Sequence, residues 1–404
     1  MDTGLALSIL SAALAVLSAP IWLYLGALTL VSWRRRPPAP PERLPRLVCV
    51  VPAHNEAAGI APTVAGLRAA AYPDELRRIL VIADNCTDDT AALARAAGAE
   101  VLERKDDTRR GKGYALEAAF QHVLSSDFAE GALVVDADTE VAPNLWRSLA
   151  AHLAAGAPAV QAPYGVRNPR AGWRPRLLAV ALGMINGVRS LARERLGLSV
   201  GLRGTGMAFS RATLERFPHN AYGLVEDVEY GIRLGLAGLR VHYASDTGVL
   251  SDMPVSGKVA LSQRRRWEGG RVALLRTHLT ALLRRAVGAR SLVALDLAVD
   301  LLVPPISYPA LLTLLGLSVE ATSLLLLRQP TPWVLGHAVA AAAAGAYVLR
   351  GISVSGTGIG GFFALLGAPA YVVWKIVVAR PWRRTEQWVR TEREVPAEPP
   401  STPR

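Results

Sequence analysis

The chain is apolar at both ends and mixed in between. Residues 5–31 are nearly uncharged and long enough to cross a hydrocarbon core of about 30 Å as a helix. A secretory signal peptide is the competing reading. The missing basic n-region, the long apolar run and the lack of a small-residue cleavage site argue against it. Trp33-Arg34-Arg35-Arg36 follows directly and puts that end in the cytoplasm by the positive-inside rule. The C-terminal third is apolar again over residues 301–327, 332–349 and 359–378, the last reaching Trp374, Lys375 and Arg380. Residues 291–303 carry Asp296 and Asp300, so they are expected at the interface or against protein.

The middle is soluble in character. Residues 37–45 form a stiff, Pro-rich linker. Strands are then predicted at 47–52, 78–83, 100–102 and 132–135, alternating with helices at 57–71, 88–97 and 113–124. The strands are rich in Val, Ile and Leu without clean alternation. That pattern means burial on both faces and a mostly parallel α/β sheet. Ligands of such sheets sit beyond the carboxyl ends of the strands. The polar clusters fall there: His54-Asn55-Glu56, Asp84-Asn85, and Asp136 with Asp138. There is no internal repeat. A dinucleotide-binding turn would need glycines after the first strand, and none occurs before Gly59.

The predicted organisation is a transmembrane helix (1–33), a basic, Pro-rich linker (34–45), an α/β domain (46–252), interfacial amphipathic helices (253–300), a membrane region (301–380) and a cytoplasmic tail (381–404). Two cysteines, Cys49 and Cys86, are too few for a disulfide framework. The net charge of +12 fits membrane topology and lipid head groups, or an anionic substrate. Nucleic acid is not expected, because no binding motif occurs and the basic residues bracket the membrane segments.

Asp136-Ala137-Asp138-Thr139 closes the fourth strand. Side chains two apart share one side of an extended chain, so the pair is a hard-cation site for Mg2+ or Mn2+. A plain polar turn reads equally well from these residues alone. Asp84, at the end of the second strand, can accept from nucleobase N–H groups, whereas Thr87 or Asp88 caps the following helix. Arg109-Arg110-Gly111-Lys112-Gly113 precedes a helix and lets backbone and ammonium approach a phosphate; a solvated basic loop is the alternative. Gly204 and Gly206, in Leu202-Arg203-Gly204-Thr205-Gly206-Met207, mark either tight backbone beside a ligand or a turn. Glu226-Asp227 begins a helix, as dipole-stabilising acids or with Asp227 as a general base. Gln263-Arg264-Arg265-Arg266-Trp267 lies on an interfacial helix. It offers cations to a pyrophosphate and a flat ring to a sugar.

In this order and spacing the motifs resemble the membrane-embedded inverting glycosyltransferases of family 2, including cellulose, hyaluronan, chitin and poly-N-acetylglucosamine synthases. Trp388-Val389-Arg390-Thr391-Glu392-Arg393 is similar to a tail element of several of these synthases. The resemblance implies a GT-A fold that uses a UDP-sugar donor, in a bacterial inner (plasma) membrane with a cytoplasmic catalytic domain. It implies Ala53, Glu56, Asp84, Lys112, Asp136 and Asp138 at the donor, with Asp138 and Asp136 at the metal. It implies Gly204, Thr205, Glu226, Gln263, Arg266 and Trp267 at the acceptor and pyrophosphate, and Asp227 as base. The chain departs from the frequent Asp-Asp-x-Ser at the second strand, with Asp84-Asn85-Cys86-Thr87 in its place. A cytoplasmic tail needs an even number of C-terminal passes, so one of the three apolar segments is expected to be re-entrant or interfacial. The Gln-x-x-Arg-Trp pattern and the tail favour processive synthesis of a β-linked polysaccharide. Transfer of one sugar to a lipid acceptor is second, and a non-catalytic subunit is opposed by the intact Asp136, Asp138 and Asp227. The partners expected are the donor, a growing glycan or lipid, membrane lipid and an optional accessory subunit.

Overall fold

The computed structural model describes residues 3–369 and 371–372. The tail element at 388–393 and the end of the third apolar segment lie outside the described residues. The first half runs α1 (Thr3–Leu30), β1 (Leu47–Ala53), α2 (Ile60–Ala69), β2 (Arg77–Asp84), α3 (Thr90–Ala96), β3 (Glu100–Arg104), α4 (Lys112–Leu124), β4 (Gly131–Val134), β5 (Glu140–Val141), α5 (Leu145–Ala154), β6 (Ala159–Gln161) and β7 (Tyr164–Val166). Every predicted strand and helix is there, with ends shifted by a few residues. Then come α6 (Trp173–Leu182), a π-type turn (Gly183–Val188), α7 (Arg189–Arg195), β8 (Met207–Ser210), α8 (Arg211–Arg216), α9 (Glu226–Leu236), β9 (Val241–Tyr243) and β10 (Val249–Ser251). The chain continues through α10 (Gly257–Gly288), α11 (Leu292–Leu302), α12 (Ser307–Leu327), α13 (Val334–Ser355) and α14 (Gly358–Ala364).

The central sheet has seven strands in the order β3-β2-β1-β4-β8-β6-β9. β1 pairs parallel with β2 and β4, and β8 alone runs antiparallel to its neighbours β4 and β6. Alternate residues of β1 feed two cores. Leu47, Cys49 and Val51 pack with Trp146 and Leu149 of α5, while Val48 and Val50 pack with Leu116 and Phe120 of α4. Burial on both faces is why these strands read as continuous apolar runs. β5, β10 and β7 form a small second sheet beside the carboxyl edge.

Among the described residues, three helices are long and apolar enough to cross a membrane: α1, α12 and α13. They pack on one another, and leucines such as Leu17, Leu314 and Leu335 face outward. Pro304-Pro305 ends α11, so the predicted span from residue 301 begins instead at Ser307. α11 is not a membrane pass; it lies against α9 and α10. The short α14 packs on α6.

The stretch from α6 to α7, expected within the α/β domain of residues 46–252, packs on β7 and β9 and also against α1, α13 and α14. Arg174, Arg176, Arg189 and Arg193 interrupt its apolar run and hide it in the sequence. Arg193, 1% exposed, locks the junction. It donates to Asp296 at 2.7 Å, and it lies 2.9 Å from Asp300. Tyr24 of α1 accepts from Arg193 at 2.7 Å and donates to Asp296 at 2.8 Å. Arg193→Met would leave buried carboxylates short of a partner. It is expected to destabilise the protein by about 3–5 kcal/mol, read as a lower Tm in detergent.

Candidate active site

The loops after β1 and β2 interlock. Asn55 and Asn85 adopt left-handed conformations (φ 55° and 51°), which asparagine tolerates better than most residues. Asn55 Oδ1 accepts from the Thr87 N–H at 2.7 Å, and His54 Nδ1 meets the Asp84 carbonyl at 2.7 Å. Asp88, not Thr87, holds the start of α3 by accepting from the Thr90 N–H at 3.1 Å. Asp84 is 5% exposed. It accepts from Arg104 at 2.6 Å and from Asn85 Nδ2 at 3.2 Å. Arg104 also holds Asp106. Nothing in the local sequence marks Arg104, because its partner lies on another strand.

Lys112 is the hub of the next layer. Gly111 before it takes φ 124°, which only glycine adopts freely. Gly113 after it is required by packing: a Cβ there would lie 2.1 Å from the Ala221 carbonyl oxygen. The Lys112 ammonium donates to Asp136 Oδ1 at 2.5 Å and to the Gly204 carbonyl at 2.7 Å. Glu226 Oε1 is 3.9 Å away. The ammonium expected to meet a phosphate is therefore engaged by carboxylates. Burial disfavours its charge, but Asp136 and Glu226 outweigh this and raise its pKa.

Glu226 and Asp227 enter the site from the first turn of α9. Burial, then the charge of Asp227, pushes Glu226 up to about 7 against the pull of Lys112. Burial also raises Asp227, while Lys112 and Arg203 oppose it. Gly204 sits against both groups. At its φ of 80°, a Cβ would lie 3.2 Å from Lys112 Nζ and 3.4 Å from Asp227 Oδ2. Gly204→Ala is expected to cost about 1–2 kcal/mol of stability through the left-handed backbone. Displacing the ammonium and carboxylate should also lower kcat by about tenfold or more. A steady-state assay beside a thermal melt checks both.

The cavity at this edge has a volume of about 2860 Å3. Ala53, Glu56, Asp84, Lys112, Asp136, Asp138, Gly204, Glu226, Asp227, Gln263, Arg266 and Trp267 all line it. Thr205 does not. It is 1% exposed, and its hydroxyl accepts from the Asp136 N–H at 3.1 Å, so it props the acidic loop from behind. Trp267 packs one side on the Val225–Leu274 cluster. Tyr164 also lines the cavity. It lies within electrostatic reach of Asp136, Asp138 and Arg266, and burial, aided by the two carboxylates, raises its pKa. Among the described residues, no group of three or more His, Cys, Asp and Glu side chains is gathered to hold a metal. The acidic loop offers only carboxylate oxygen, the donor a hard divalent cation takes.

A mostly parallel sheet with this acidic edge and apolar flanking helices defines an enzyme of the GT-A glycosyltransferase fold. The chain belongs to glycosyltransferase family 2: the family profile, described as glycosyltransferase like family 2, matches residues 45–270, more than half of its length. Among curated relatives, it is 28% identical over 275 residues to beta-monoglucosyldiacylglycerol synthase of Synechocystis, covering 62% of this chain and 55% of the relative. It is 23% identical over 242 residues to the probable glycosyltransferase YdaM of Bacillus subtilis, covering 57% of this chain and 56% of that one. The chain thus spans about half the length of these relatives. Among solved structures, the mannosyltransferase PcManGT of Pyrobaculum calidifontis, in complex with GDP-Man and Mn2+, aligns with a TM-score of 0.58 at 18% identity. That alignment covers 86% of this chain and 98% of PcManGT.

Proposed function

We propose that the protein transfers one sugar from a UDP-sugar, with inversion, to a lipid of a bacterial plasma membrane, working from the cytoplasmic face. One observation carries the choice of acceptor. The cavity that holds Asp138 and Asp227 continues between α6 and α12, where Leu178, Ala181, Ile185, Ile306 and Ala310 line it. An apolar wall suits an alkyl chain better than a growing glycan. The glycolipid product named by the Synechocystis relative supports the same reading. This reverses the order drawn from sequence, where the Gln263–Trp267 pattern and the tail favoured a polysaccharide. Polymer synthesis is the second reading, supported by that pattern on α10.

Asp136 and Asp138 would hold Mg2+ or Mn2+, which would neutralise charge on the departing diphosphate. Lys112 holds the Asp136 carboxylate in register. Arg266 and Gln263, from α10, face the diphosphate, and Trp267 offers its ring to a sugar. Asp227 takes the proton from the acceptor hydroxyl as its oxygen attacks the anomeric carbon. The bond from that carbon to the diphosphate breaks, and its electrons leave with the nucleotide. No covalent enzyme intermediate is needed.

Purified membranes given a panel of labelled UDP-sugars test the reading. One labelled species that partitions into organic solvent is expected. A ladder of water-soluble or insoluble polymer would replace this reading with the second.

A further inference from the structure

We infer that the membrane side of the cleft is an anion site, in which Arg203 and Arg271 seat the phosphate of a phosphate-bearing lipid acceptor. The inference rests on the reading that the acceptor comes from the membrane, and it separates this enzyme from one built for neutral diacylglycerol.

Cations outnumber their paired carboxylates on this side of the cleft. Four guanidinium groups, on Arg189, Arg193, Arg203 and Arg271, gather where α7, α10 and α11 meet the cleft. Asp296 and Asp300 engage the first two: Arg189 lies 3.0 Å from Asp300, and Arg193 binds both carboxylates. Arg271 donates to main-chain carbonyls only, those of Asp300 and Val303. Arg203 forms no ion pair with any described carboxylate within 4.0 Å, and its Nε is buried without a hydrogen-bond partner among the described residues. Two positive charges against the cleft are therefore left without a paired carboxylate. Both side chains are half-buried and feel the charge of Asp300 without pairing with it, so a bound anion would supply the direct partner they lack.

The position separates this site from that of the donor diphosphate. Tyr164, Asp136, Asp138 and Arg266 share one side of the cleft. Arg203 instead lies within electrostatic reach of Asp300, Arg193, Asp227 and Arg189, with Asp227 between it and the acidic loop. Arg203 and Arg271 line the same cavity as the apolar wall of Leu178, Ile306 and Ala310. A ligand that satisfies both needs an anionic head beside an alkyl chain, which a phospholipid or lipid phosphate provides. Its acceptor oxygen would then fall next to Asp227. Guanidinium is the cation best shaped for phosphate.

Binding to the full-length enzyme in maltoside micelles tests this, with short-chain phosphatidic acid against the diacylglycerol of the same chains. Wild type should bind the phosphatidic acid about tenfold tighter or more. Arg203→Gln and Arg271→Gln should each reduce that preference to about twofold or less, and Arg203→Lys should restore part of it. UDP binding with Mn2+ should not change in the glutamine variants. Inorganic phosphate should compete only at roughly a hundredfold higher concentration, since it lacks the chains. The ligand-free Arg203→Gln enzyme should melt no lower than wild type, because it sheds an unpaired, half-buried cation. Equal affinity for the two amphiphiles, competition by inorganic phosphate at the lipid's own concentration, loss of UDP binding, or a lower melting temperature would each overturn the proposal. Failure of the acceptor reading shows up separately, as no sugar on the head-group hydroxyls of short-chain phosphatidylglycerol despite a preserved binding preference.

Discussion

Asp227→Asn keeps nucleotide binding and loses transfer, by about a thousandfold or more. Asparagine preserves size and hydrogen bonding but cannot take the acceptor proton, and positioned general bases contribute roughly 100- to 10,000-fold. The pH profile follows from the same environment. Asp227 works only when ionised, and burial raises its pKa. Activity is therefore lost as pH falls through a value above the ordinary aspartate range. Glu226, buried and pushed up to about 7, also takes up a proton as the pH falls. Removing that neighbouring negative charge with Glu226→Gln should move the acid limb of kcat/KM to lower pH. An unmoved limb, or normal turnover by Asp227→Asn, would remove Asp227 from the role of base.

Asp138→Ala gives the second large effect, on the donor. The carboxylate of Asp136 is already shared with Lys112. On the proposed assignment, Asp138 would then be the main protein ligand left to hold a divalent ion. Its loss should weaken Mn2+-dependent UDP binding by about 100-fold, while the smaller metal-free affinity stays as it was. Calorimetric titration of UDP with Mn2+ or with chelator reads this directly. Equal affinity in the variant and wild type under both conditions would contradict the assignment.

The sheet was legible because its strands are short, apolar and followed by polar clusters, and each cluster arrived at the carboxyl edge. The acidic loop and the Glu226-Asp227 pair were legible for the same reason: local spacing and a helix start fix where they point. What the sequence hid depends on partners far along the chain. Lys112 looked like a phosphate ligand, and only the approach of Asp136 and Gly204 makes it a bridge within the protein. Gly113 looked like part of a phosphate loop, but the backbone of Ala221 sets its size. Thr205 sat in a promising motif, yet its hydroxyl points backward to the Asp136 amide. Arg203 carries no local mark, since the charged groups around it, Asp300, Arg193 and Asp227, come from other parts of the chain. The membrane-side packing of the helices from Trp173 to Arg195 is hidden in the sequence because two of their arginines, Arg189 and Arg193, turn inward to Asp300 and Asp296.

The central claim is a single in-line displacement on a nucleotide sugar, with Asp227 on the acceptor side and the acidic loop on the diphosphate side. The stereochemistry of the product tests it most directly. From an α-linked UDP-sugar, the proton coupling at the anomeric carbon of the isolated product should report a β linkage. An α linkage would contradict the account.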